Sequence, residues 1–387
     1  MMTTNLGLYI HIPFCERKCH YCDFNSFKLN ENDLDKYVDS LGNEIDLHSK
    51  NYKNYTIDTI FIGGGTPSLL EPKHIKKIDN SIKKSFKIDD SLEYTIECNP
   101  NSVSKDKLQS YKDANINRIS LGVQSIINNE LTSLGRIHDK DDIYKSVNLI
   151  KSMGYDNINL DLMLGIPNQD LESLNYTINE VIKLDVTHIS CYGLIIEEGT
   201  LFGKLNSENK LLNLPSEELE RNLYYFARKK LEENGFIQYE ISNFSKKDFQ
   251  SKHNLKYWRC EDYLGLGLGS HSKINTKRFE NSSNFKDYIE NLDDGKLPIS
   301  NLEDLDEKDL LNERIIMGLR LNEGIEYTKL NEEFKIDFLK DFENEIDKNL
   351  RLDFIEFNNK KMRLTSKGMD FLNLVELDFY RWLYVDN

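Results

Sequence analysis

Six short runs rich in β-branched and aromatic residues, LYIHI (8–12), DTIFI (58–62), EYTIE (93–97), NRISL (117–121), NINLDLM (157–163) and THISCY (187–192), alternate with segments of helical apolar spacing. Leu34, Tyr37, Val38, Leu41 and Ile45 share one helix face, and Leu171, Leu174, Ile178, Val181 and Ile182 repeat the pattern. After the sixth run, Pro215-Ser216-Glu217-Glu218 offers a cap and an acidic first turn ahead of Leu219, Leu223, Phe226 and Leu231. Alternation of this kind implies an α/β fold with parallel strands and right-handed crossovers, either an open doubly wound sheet or a full or partial barrel.

The residues at the strand ends decide between them. A cysteine cluster follows the first run, Gly63-Gly64-Gly65-Thr66-Pro67 follows the second, Glu97 ends the third, Gln124 follows the fourth, and Asp161 lies on the fifth. Special residues at nearly every carboxyl end are expected when those ends converge on one site, as in a barrel. We therefore expect a six-stranded partial barrel.

At 387 residues the chain exceeds the roughly 150 of a single domain. The strand–helix rhythm stops near residue 236, so we expect the barrel core over 1–235 and a connecting segment over 236–300. That segment contains HNLKYW (253–258) and YLGLGLGSHS (263–272), whose elements the sequence does not place. Over 301–387, helices at roughly 307–320 and 328–349, then DFIEF, an Asn358-Asn359 turn, KMRLT and a last helix near 366–374 form a mainly α, winged-helix-like unit. The cluster Tyr380-Arg381-Trp382-Leu383-Tyr384 reads as a packed terminal segment. Winged helices often bind nucleic acid, but the net charge is −15 and 21 Asp and Glu face 13 Lys and Arg from residue 301 onward. That balance favours a packing or interaction role, with no nucleic acid expected. No apolar run approaches the ~20 residues of a spanning helix, and MMTTNLGLYI lacks signal-peptide character, so we expect a cytoplasmic protein.

Cys15, Cys19 and Cys22 stand on one loop in YIHIPFCERKCHYCDF, and in a reducing cytosol they suit metal better than disulfides. Structural zinc wants four closed ligands; no second Cys/His pair appears, and His20 is the one conceivable fourth within the loop. A [4Fe–4S] cluster favours thiolates, and three of them would leave one iron open for a small molecule. Cys98, Cys191 and Cys260 stand alone and read as small buried hydrophobes.

The C-x3-C-x2-C loop after a first strand, with an aromatic at Tyr21, resembles the signature of the radical S-adenosylmethionine (SAM) superfamily. The resemblance implies that SAM chelates the open iron and is split by an electron from the cluster. GGGTP also matches that family. There, glycines let backbone approach a ligand, and exposed N–H and C=O groups can pair with its amino-acid moiety. It lacks the Gly-Lys-Ser/Thr of a P-loop, and its plain reading is a tight strand-to-helix turn.

Within the superfamily the chain resembles the oxygen-independent coproporphyrinogen III dehydrogenases and the related HemW-type haem chaperones along nearly its whole length. The resemblance implies SAM contacts at Tyr9, Gly64, Gly65, Thr66, Glu97, Gln124, Arg136 and Asp161, with Tyr21 beside the adenine. Two departures point away from the dehydrogenases: Phe24 stands where they carry another cysteine, and the first strand starts almost at the terminus. HNLKYW resembles the H-N-x-x-Y-W motif of the chaperones, which implies a haem site at His253, Tyr257 and Trp258; the plain reading of His253 is a hydrogen-bonded core group. The expected function is a chaperone that binds cluster and SAM, holds haem as cargo, and passes it to haem-accepting proteins, membrane respiratory proteins among the candidates, while peripheral to the membrane. Dimerisation is left open. The alternatives are coproporphyrinogen III dehydrogenation, for which the chain lacks the extra cysteine, and a zinc-stabilised winged-helix regulator.

Overall fold

The computed structural model describes residues 4–211 and 213–382. Strands β1 (Thr4–Ile12), β2 (Tyr55–Gly64), β3 (Lys87–Cys98), β4 (Arg118–Gln124), β5 (Asn157–Leu164) and β6 (His188–Gly193) pair in sequence order, all parallel. Helices α1 (Glu31–Ser49), α2 (Pro72–Ser85), α3 (Lys105–Asp113), α4 (Lys140–Ser152) and α5 (Leu171–Lys183) join successive strands, and α6 (Glu217–Glu233) follows the last. Ser216 caps α6, its hydroxyl accepting from the Leu219 N–H.

Side-chain alternation gives this sheet two unlike faces. Leu6, Leu8, Ile10 and Ile12 of β1, Ile60 and Ile62 of β2, and Leu160, Leu162 and Leu164 of β5 are buried in one core with Leu34, Val38, Leu41 and Ile45 of α1. The intervening positions are largely polar and bond to one another across strands: Asn159 with Ser120, and His188 with Asn159. Strands covered on both faces by helices would read as near-continuous apolar runs; alternation belongs to a sheet curled around a polar interior. β1 and β6 do not pair with each other, so the six strands form a partial barrel, as expected.

The connecting segment, continued to Asp304, supplies the strands that flank both edges. Beside β6 lie β7 (Ile237–Gln238) and β8 (Asn243–Ser245), antiparallel. Helix α7 (Lys252–Trp258) carries HNLKYW, and β9 (Tyr263–Leu266) then runs parallel to β1, followed by the antiparallel meander β10 (His271–Ile274), β11 (Lys277–Asn281) and β12 (Ile299–Asp304).

The C-terminal unit has its own core of Leu311, Ile315, Phe334, Phe338, Phe342, Ile346, Phe354, Met362, Val375 and Phe379. Helix α8 (Glu307–Leu319) and the hairpin β14 (Ile355–Asn358) with β15 (Lys361–Leu364) fall where expected, and β13 (Ile325–Glu326) completes a winged-helix-like sheet. The single helix expected over 328–349 is instead three pieces, Tyr327–Phe334, Phe338–Asp341 and Glu343–Arg351. Lys335 turns left-handed at φ 56°, and the Asn331 side chain accepts from the Phe338 N–H, so the break is made without glycine or proline. Two short helices follow, Ser366–Asp370 and Leu372–Trp382. Of the expected terminal cluster, Leu383 and Tyr384 lie outside the described residues. Among the described residues no helix is long and apolar enough to cross a membrane.

Candidate cofactor site

The cysteine loop is stitched at its base, where Phe14–Cys15 pairs with Phe27–Lys28. The Phe27 N–H donates to the Pro13 carbonyl at 2.7 Å and the Leu29 N–H to that of Cys15 at 2.9 Å. Further out, His20 pins the loop to a neighbouring turn: its N–H donates to the Leu134 carbonyl, and its Nδ1 lies 2.9 Å from the Ser133 carbonyl. The His20 ring packs against Gly135 and Phe202, so it does not serve as the fourth ligand that the zinc reading requires. Cys15, Cys19 and Cys22 are free thiols that open onto one cleft of about 390 Å³, and burial pushes the Cys22 thiol up to about 11. Among the described residues no three His, Cys, Asp or Glu side chains group as they would around a single ion. Cys98 and Cys191 are buried in the main core, in keeping with their plain reading, while Cys260 is half-buried.

A chain of polar contacts ties two of the thiols to the strand ends. Thr66 Oγ1 donates to Cys15 Sγ at 3.5 Å and accepts from Asn99 Nδ2 at 3.2 Å. Arg136 Nη2 donates to Asn99 Oδ1 and to the Gly122 carbonyl, each at 2.7 Å, and its Nη1 reaches Cys19 Sγ at 3.4 Å. Asn99 is the hub of this belt and was not singled out in the sequence, although ECNP places it directly after β3.

The GGGTP turn departs from expectation. The Gly64 N–H donates to Glu97 Oε2 (3.1 Å), the Gly65 N–H to the Ile12 carbonyl (2.8 Å), and the Thr66 N–H to that of Phe14 (2.8 Å). All three donors are spent inside the protein, so the turn offers a ligand its close approach and its carbonyls but not these N–H groups. Glycine is required for this docking. A Cβ on Gly65 would sit 2.6 Å from the Phe14 carbonyl oxygen, and Gly64 has φ 110° with the His11 ring against it.

Two interacting carboxyl groups, Glu97 and Asp161, line the cleft. Burial, reinforced by Asp161, pushes Glu97 up to about 8. Burial also raises Asp161, opposed by hydrogen bonds from Asn159 and Ser120. Gln124 adopts a left-handed φ of 67° at an irregularity in the β4–β5 register, which places it on the cleft wall. The three cysteines, Tyr21, Gly64, Gly65, Thr66, Glu97, Gln124, Arg136 and Asp161 all line the one cleft. Tyr9 does not; its hydroxyl meets His11 Nδ1 at 3.0 Å beneath it. Ser120, Met163, Tyr192 and Ile195 are among the other wall residues, and Phe24 stands 58 % exposed at the lip.

The Radical SAM superfamily pattern matches residues 9–181, and that of the HemN C-terminal domain matches residues 305–371. The heme chaperone HemW of Bacillus subtilis is 38% identical over 327 residues, 84% of this chain and 86% of that protein. The chain belongs to the HemW family. The heme chaperone HemW of Escherichia coli is 39% identical over 270 residues, 70% of each chain. The mitochondrial radical S-adenosyl methionine domain-containing protein 1 of Danio rerio is 32% identical over 331 residues, 82% of this chain and 73% of that one. The solved structure of coproporphyrinogen III oxidase (HemN) from Escherichia coli superposes with a TM-score of 0.86 over 98% of this chain and 91% of that one, at 22% identity, and so shares the fold.

In this HemW-family chain HNLKYW lies away from the cleft. His253 is fully buried, with Nδ1 2.8 Å from Thr59 Oγ1 and Nε2 2.8 Å from the Tyr257 hydroxyl. Burial lowers its pKa to about 3, so the ring is neutral and both nitrogens are engaged. Trp258 packs with Tyr239, Leu255 and Leu321, beneath the Arg320 guanidinium. This is the plain reading of His253, a hydrogen-bonded core group with neither ring nitrogen free in this conformation.

Proposed function

We propose that the chain binds a [4Fe–4S] cluster through Cys15, Cys19 and Cys22, binds SAM in the adjoining cleft, and carries haem to haem-requiring proteins. The cleft supports this reading: three free thiols on a braced loop open beside two half-buried carboxyl groups and a half-buried guanidinium, in a chain of the HemW family. The donor set fits the cluster, since the loop holds three thiols and His20 is turned away. The chemistry such a cluster supplies is delivery of an electron to SAM. Arg136 offers a cation for a carboxylate, while Glu97 and Asp161 can accept from an ammonium or from ribose hydroxyls. Glu97 sheds its proton more readily once a cation arrives, because the incoming charge offsets the burial that holds it protonated. Tyr21, half-buried at the cleft and packed with Leu134 and Met163, gives an adenine a flat apolar wall.

Haem enters the reading through the relatives, which are heme chaperones by name. Phe24 at the lip, where the dehydrogenases carry a cysteine, supports a carrier over a porphyrin-making enzyme. The test is anaerobic reconstitution, haem titration, and transfer of bound haem to an apo haem protein, alongside incubation with SAM, reductant and coproporphyrinogen. Stoichiometric haem uptake and transfer are expected. Formation of protoporphyrinogen would replace the carrier by the dehydrogenase, and metal analysis giving zinc without iron or sulfide would overturn both.

A further inference from the structure

Helix α7 occupies the end of the barrel opposite the cleft, where strands begin. Three of them hold it. Glu93 of β3 caps its first turn, its two carboxylate oxygens accepting from the Lys252 and His253 N–H groups at 3.0 Å each. Thr59 of β2 meets His253, and Asp58 beside it pairs with the buried Lys256 ammonium at 2.9 Å. The Ser251 N–H donates to the Tyr239 hydroxyl, which in turn meets His188 of β6 at 2.9 Å. A Cβ on Gly7 of β1 would lie 2.9 Å from Lys256 Cδ and 3.3 Å from the His253 ring, so β1 closes against the same helix.

From this floor a column of rings rises to the cysteine loop. His253 stacks on Phe61 (centroids 5.4 Å apart), and Phe61 stacks on Tyr9 (6.3 Å). The Tyr9 hydroxyl meets His11 Nδ1, and His11 Nε2 lies 2.9 Å from the carbonyl of Asn25, three residues beyond Cys22. His11 itself is wedged against Gly64 of the GGGTP turn. The column therefore touches both elements that shape the cleft, by direct packing and without any element that must change state.

We propose that HNLKYW is the floor plug of the barrel and that His253 is a positioning residue: through Phe61, Tyr9 and His11 it sets the cysteine loop against the GGGTP turn. On the SAM reading above, the motif thereby acts on SAM and cluster binding rather than as a haem ligand.

The test uses the full chain with His253→Gln, Tyr257→Phe and Phe61→Leu. The last cuts the column while leaving the hydrogen bonds of the floor in place. Hydrogen exchange over residues 14–29 is read first, on cluster-free protein, and is expected to quicken about tenfold, the factor carried by one lost hydrogen bond of ordinary worth. After reconstitution, SAM should bind several-fold more weakly and perturb the electron paramagnetic resonance of the reduced cluster differently, with haem titration unchanged. Thermal melts identify any variant that fails to fold, and Phe61→Leu, which spares the plug, carries the test in that event. Loop exchange unchanged in the folded variants overturns the proposal. So does loss of haem binding in His253→Gln with loop exchange intact. Failure of the wild-type chain to bind SAM would instead sink the functional reading, because the exchange measurement does not depend on SAM.

Discussion

Replacing Glu97 with Gln separates the cost of the site from its use. In the fold, burial and the neighbouring Asp161 hold Glu97 near 8, against 4.5 for an ordinary glutamate. Its folded pKa lies above its unfolded one, so the stability it contributes is fully present below pH 4.5 and is lost as the pH rises toward 8, because the unfolded chain releases the proton first. At about 1.4 kcal/mol per pKa unit, the loss between pH 5.5 and 7.5 is at most about 2.5 kcal/mol. Water reaches the half-buried carboxyl from the cleft and screens it, so roughly 1 kcal/mol is a fairer figure. Gln mimics the protonated acid and removes that slope. Denaturant melts of cluster-free protein should therefore show the variant gaining about 1 kcal/mol on the wild type between the two pH values. SAM affinity should move the opposite way, rising with pH in the wild type as Glu97 ionises and staying low and flat in the variant. Parallel stability profiles, or SAM affinity in the variant that follows the wild-type pH dependence, would refute both the burial of this carboxyl and its proposed partner.

Two further substitutions probe the loop and the turn. Cys15→Ser should abolish the visible absorbance of the reconstituted cluster and leave the far-ultraviolet circular dichroism unchanged; retained absorbance at full iron content would remove Cys15 from the ligand set. Gly65→Ala forces a methyl group to within 2.6 Å of the Phe14 carbonyl oxygen and 2.8 Å of that of Ile12, backbone atoms that cannot turn aside. A cost of about 1–3 kcal/mol is expected, with poorer cluster incorporation because Cys15 follows Phe14 directly; an unshifted melting temperature would show that the turn is not seated as described.

The parallel half of the fold was legible because it is local. Each β-rich run and each helical face lies within about a dozen residues; four of the six strands contain the runs that announce them, and NRISL and THISCY begin one residue ahead of theirs. Their ends were less so. β3 starts at Lys87, six residues before EYTIE, because Lys87 and Ile88 pair with Thr56 and Ile57 through a polar stretch that carries no β signature. The flanking strands were illegible for the same reason: β7 has two residues, β8 has three, and β12 is exposed along its length. They are strands because the edges of β1 and β6 offer partners, which is a long-range fact. In the C-terminal unit, Phe334, Phe338, Phe342 and Ile346 recur every four residues and read as one helix. The Asn331 side chain ends it by supplying an acceptor to the Phe338 N–H, a contact that no spacing rule records.

At the site, reading the strand ends gathered most of the cleft and missed Asn99, which obeys the same rule one residue further on. His11 was missed for a different reason: in LYIHI it looks like one more alternating strand residue, and its place between Asn25 and Gly64 exists only once the loop folds back. HNLKYW shows the limit most clearly. A histidine beside tyrosine and tryptophan suits a metallated macrocycle only if a ring nitrogen is left over, and the sequence does not count the partners that the fold will supply. One of them, Thr59, lies 194 residues away on β2; the other, Tyr257, is a helical turn away within the motif itself. With both nitrogens engaged, an imidazole in a barrel floor contributes order to what stands above it. In this chain that is Phe61, Tyr9 and the cysteine loop.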